Sequence, residues 1–84
     1  MTTSAPLHDA DREAARERAD RLTEAAFPAG RCQRSPEYIS GVRTRLRFSL
    51  AGDSIANPYP AGTADADAFW AGCEEGRLIA RMQG

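Results

Sequence analysis

Two segments of this chain carry the same short pattern at a spacing of 31 residues. Tyr38, Ile39, Gly41 and Val42 are matched by Phe69, Trp70, Gly72 and Cys73, and Phe48 is matched by Ile79. A Pro-Ala-Gly connector precedes each segment, at 28–30 and at 60–62. On a helix, residues three apart share a face, so aromatic-x-x-Gly sets a ring beside a notch. A mid-helix glycine costs about 1 kcal/mol relative to alanine, which points to a packing role at both positions. The pattern predicts two helices that cross closely at Gly41 and Gly72, with Tyr38 and Phe69 flanking the crossing. One reading of the match is a two-unit repeat. The other is that two short helices packed on each other need the same residue types in the same order. Two copies are too few for a solenoid.

The boundaries come from capping chemistry. Ser35 before Pro36 places a hydroxyl at the N-cap and proline at the first helical position. The second helix then runs to Ala51, with Gly52 just past its end. Thr63 is the N-cap of a third helix, with Asp65 and Asp67 in its first turn where the helix dipole favours acids. Upstream, Ala15, Ala19, Leu22 and Ala26 form an i, i+4, i+7, i+11 stripe, and Pro28 with Gly30 ends that helix. The expected fold is a small all-α domain of three helices, at about 7–27, 36–51 and 64–82. The second and third helices form a pair and the first packs across them. Residues 1–6 are a disordered polar start, and 7–84 make one helical domain.

The linker between the pair, Asn57-Pro58-Tyr59-Pro60-Ala61-Gly62, is stiffened by its two prolines, which push Asn57 and Tyr59 toward extended geometry. Stiffness matters because the core is thin. The chain has 84 residues, and alanine supplies much of its 42% hydrophobic content. At that size one core gives marginal stability, and a second copy or another partner would add to it.

Several classes of function find no support. Two cysteines, Cys32 and Cys73, make no secreted disulfide framework, and one histidine with no CxxC makes no zinc site. No apolar run approaches membrane-spanning length, and no basic region precedes an apolar run at the N-terminus. A cytoplasmic protein without metal or cofactor is expected. The acid pairs Asp65 and Asp67, and Glu74 and Glu75, do not converge on a point, and Cys32 lacks a partner base. Catalysis is therefore not expected.

Residues from about Tyr38 to Arg77 resemble the ribosome modulation factor family and its short phage and plasmid relatives. The resemblance rests on a helix with Gly41 and Gly52, on Asn57-Pro58-Tyr59, and on Phe69-x-x-Gly72 followed by Gly76. It covers roughly half the chain and implies two helices joined by a linker. It also implies binding to the small ribosomal subunit near the 3′ end of its RNA and repression of translation. Three features depart from the family: the net charge is −1 rather than strongly positive, a charge-balanced helix replaces a basic tail, and Glu74 and Glu75 lie on the third helix.

The candidate RNA-binding or partner-binding residues are Arg31, Arg34, Arg43, Arg47, Tyr59 and Trp70. Guanidinium groups suit phosphate, and aromatic rings suit unpaired bases. The alternative for Arg43 and Arg47 is a solvated helix face balanced by acids on the other helices. Tyr59 either stacks on a base or folds back over the helix pair, with fold-back favoured. For Trp70, burial against the first helix or the loop is favoured. Leu78 and Met82 fall off the inner face, where they contact the first helix or form a self-association patch, as in a homodimer. The second functional reading is a small acidic adaptor or inhibitor that binds another protein.

Overall fold

The computed structural model describes residues 8–30 and 34–83. It contains three helices, α1 Asp9–Ala26, α2 Pro36–Ala51 and α3 Ala64–Gln83, and no strand among the described residues. The all-α fold and the helix limits agree with the expectation to within one or two residues at each described end. The disordered start expected at 1–6 lies outside the described residues.

The caps are those the sequence specifies. Ser35 Oγ accepts a hydrogen bond from the Tyr38 amide at 3.2 Å, and Pro36 opens α2. At the other end Gly52 has φ 79°, and its amide donates to the Phe48 carbonyl while that of Asp53 donates to Arg47. This paired closure satisfies two carbonyls at the end of the helix. It also fixes the direction in which Asp53 leaves α2. Thr63 Oγ accepts from the Ala66 amide at 3.2 Å and opens α3.

The α2–α3 crossing is built on glycine. A methyl group on Gly41 would overlap the backbone carbonyl of Phe69 and approach the Cys73 amide. A methyl group on Gly72 would overlap the carbonyl of Tyr38 and approach the Val42 amide. These two environments exchange when each residue is replaced by its counterpart 31 positions away. The crossing is thus locally two-fold, each glycine receiving the other helix's aromatic-bearing backbone. The relation ends within a turn. Gly76 meets the Val42 carbonyl, where a methyl would lie at 2.7 Å, and its counterpart is Arg45. Phe48 is 44% exposed, whereas its counterpart Ile79 packs on the core. The match of Phe48 to Ile79 therefore does not extend to burial, and the Arg45 guanidinium lies over the Phe48 ring at 5.1 Å.

The core is small. Val42, Leu46 and Phe69 are fully buried, with Ala19, Ala51, Ala66 and Cys73 around them. Cys73 is an apolar filler, and burial pushes its thiol pKa up. The linker folds onto this core. Asn57 Oδ1 accepts from the Tyr59 amide at 2.9 Å, a local turn that directs the Tyr59 ring onto Phe69, centroids 6.0 Å apart.

α1 departs from expectation. Its backbone lies against α2 and makes no backbone-range contact with α3, where Arg18 reaches Gln83 side chain to side chain at 3.4 Å. The reason lies in its narrow apolar stripe. Ala19 and Thr23 are its buried residues, Leu22 is partly covered, and Ala26 is exposed. That stripe fits one neighbour.

The crossing yields a test of sign. By helix propensity, Gly41→Ala or Gly72→Ala should stabilise by about 1 kcal/mol. Overlap with a facing carbonyl should instead destabilise by about 1–3 kcal/mol or more. Urea unfolding followed by circular dichroism is expected to show the loss at both positions. Gly52→Ala, where nothing crowds the site, should lose about 1 kcal/mol from its left-handed backbone alone.

Candidate RNA-binding ridge

The basic ridge expected on α2 is present and is occupied. Arg43 and Arg47, one turn apart, both reach the carboxylate of Asp20 on α1. Arg47 binds it with two nitrogens, at 3.0 and 2.7 Å, and Arg43 Nε lies 3.4 Å away. The carboxylate raises the pKa of the Arg47 guanidinium, chiefly through the hydrogen bond. All three side chains keep 35–40% of their surface exposed.

A second clamp lies at the end of α2. Arg16 donates to both oxygens of Asp53, each at 2.8 Å, and Glu13 stands 3.7 Å from Arg16. The Arg16 hydrogen bonds hold the Asp53 carboxyl below its ordinary pKa, with smaller contributions from the charges of Arg16, Arg12 and Arg47. The four-residue spacing of Arg12, Arg16 and Asp20 puts them on one stripe of α1. That stripe runs beside Ala19 and Thr23 and faces Asp53, Arg47 and Arg43. With Phe27 edge-on to Tyr38 at 6.1 Å, these contacts set α1 antiparallel to α2.

The other candidate residues scatter. Arg34 lies over the Tyr38 ring at 4.5 Å, at the start of α2. Arg31 lies outside the described residues. Tyr59 is folded back on Phe69, half-buried. Trp70 is not buried against α1 or the linker as favoured; it rests edge-on against Phe69 at 5.2 Å and is 51% exposed. The reason is geometric: the α1 backbone stays clear of α3, and Tyr59 and Trp70 each meet the Phe69 ring edge-on, so neither α1 nor the linker covers the indole. Arg77 pairs with Glu74 along α3. Leu78 and Met82, 47% and 79% exposed, line an open groove of about 540 Å³ with Tyr38, Ala71, Ile79 and the two glutamates. Within it the Tyr38 hydroxyl donates to Glu75, and burial followed by that bond raises the phenol's pKa.

The ion-pair partners that the sequence did not single out are Asp20, Arg16 and Asp53. Their signal was the charged stripe at 12, 16 and 20, adjoining the alanine stripe of the same helix. Among the described residues no group of three or more histidine, cysteine, aspartate or glutamate side chains could hold a metal ion. Nor is any helix among them long and apolar enough to cross a membrane.

No family model, no curated protein and no solved structure matches this chain.

The Asp53 clamp gives a pH dependence with a definite sign. A carboxyl whose pKa is lower folded than unfolded stabilises above its unfolded value and loses that contribution as pH falls through the folded one. The ordinary value is 3.8. The melting temperature should therefore drop as pH is lowered below about 4, and Asp53→Asn should flatten that drop. Thermal melts of both proteins across that range check it.

Proposed function

We propose that this chain is a non-enzymatic RNA-binding protein that resembles the ribosome modulation factor family. In this reading it occupies small-subunit ribosomal RNA and represses translation by blocking a site. The observation that supports the reading most is the coherence of the residues behind the resemblance. Gly41, Phe69 and Gly72 meet at one crossing, and Tyr59 of the Asn-Pro-Tyr turn seals it.

The chemistry is positional. Two guanidiniums one turn apart offer forked donors to phosphate oxygens. Trp70, half exposed on the second turn of α3, offers a face to an unpaired base. Neither contact requires a preformed pocket, a metal or an activated nucleophile.

The test is co-sedimentation of the full chain with small ribosomal subunits at about 50 mM salt, where phosphate contacts are strong. Binding that weakens steeply with salt is expected. Trp70→Ala should reduce affinity at least about fivefold, since base stacking is worth about 1–3 kcal/mol. Absence of sedimentation at any salt overturns the proposal. Capture of a protein partner without ribosomal RNA would replace it with the adaptor reading.

A further inference from the structure

The α1–α2 contact has the form of a receptor holding its own ligand. Arg43 and Arg47 do not each take a separate acid. They converge on one carboxylate, gripped by Arg47 at two points and by Arg43 at a third. A carboxylate and a phosphodiester present similar oxygen pairs to a guanidinium fork. Two cations facing one anion leave an excess positive charge at the ridge. The ridge is also reachable, since every participating side chain is more than a third exposed.

We infer that the Arg43–Arg47 ridge is an RNA-phosphate site that the resting chain fills with the Asp20 carboxylate of α1. The identity of the anion rests on the proposed RNA-binding function; the site and its internal occupant rest on the geometry. Exchange asks little of the fold. The α2–α3 crossing is held by glycine packing that Asp20 does not touch. α1 stays seated, because Ala19 joins Val42 and Leu46 in the core with Leu22 and Phe27 packed on them, and only the partly exposed Asp20 side chain has to turn away. Exposed ion pairs are screened and individually weak, so a polyanion offering several phosphates can displace one carboxylate. α1 acts as a cover that lowers affinity for short or isolated anions and yields to a backbone that presents many. Such a cover accounts for a basic ridge within a chain whose net charge is −1.

The test compares the full-length protein with Asp20→Asn and Asp53→Asn, using a fluorescent oligouridine of about 15 nucleotides, long enough to span one single-strand site. Asp20→Asn uncovers the ridge. Asp53→Asn breaks the other α1 clamp and leaves the ridge covered. Fluorescence anisotropy at about 50 mM salt is expected to show a three- to tenfold gain for Asp20→Asn, with the log–log salt slope steeper by about 0.7–1.4. Asp53→Asn should bind as the unaltered chain does. No gain for Asp20→Asn, or an equal gain for both variants, overturns the inference, the latter because general loosening would then explain it. If Asp20→Asn does not fold, carbon NMR of the unaltered protein serves instead. Saturating oligouridine should shift the Asp20 carboxyl resonance, and an unmoved resonance overturns the cover. Subunit co-sedimentation separates the two proposals. Subunit binding without an Asp20→Asn gain keeps the ribosomal reading and removes the cover. A gain on oligouridine without subunit binding does the reverse.

Discussion

The contact of each central glycine with the opposite helix's carbonyl governs most of this fold. With so few large apolar side chains, α2 and α3 have little to interdigitate. Close approach is the alternative, because dispersion falls off steeply with distance and two backbones in contact recover many atom pairs. Only glycine permits that approach here. Once the backbones touch, Val42 and Phe69 are fully enclosed, Tyr38 is swung toward Glu75, and the linker is short enough for Tyr59 to seat on Phe69.

Much of this architecture is legible in the sequence, for local reasons. Ser35-Pro36, Gly52 and Thr63 are chemical stop and start signals, and each functions at the position read from the chain. The crossing at Gly41 and Gly72 is implied by the ring-and-notch spacing. What is not legible depends on where a third helix goes. An alanine stripe shows that α1 packs, without showing on what. The cover expected for Trp70 is one that α1 does not supply, and Phe48 is left half exposed under the Arg45 guanidinium where its counterpart Ile79 packs on the core.

The ridge shows the same limit in electrostatic form. The spacing of Arg43 and Arg47 identifies them as a pair, and the acids elsewhere in the chain give only a general balance. That one acid, Asp20, lies between both arginines is a tertiary fact. So is the placement of Asp53, which the left-handed Gly52 directs toward Arg16. The resulting molecule has two sides of different character. The α1–α2 seam pairs a buried strip of Ala19, Val42 and Leu46 with ion pairs that solvent can reach, and the α2–α3 seam is built on glycine packing.

The glycine seam is the central claim, and cross-helix nuclear Overhauser effects test it most directly. In the folded protein, the Gly41 α-protons should give cross-peaks to Phe69 and Gly72, and those of Gly72 should give cross-peaks to Tyr38. Well-ordered α2 and α3 with none of these cross-peaks would contradict the account.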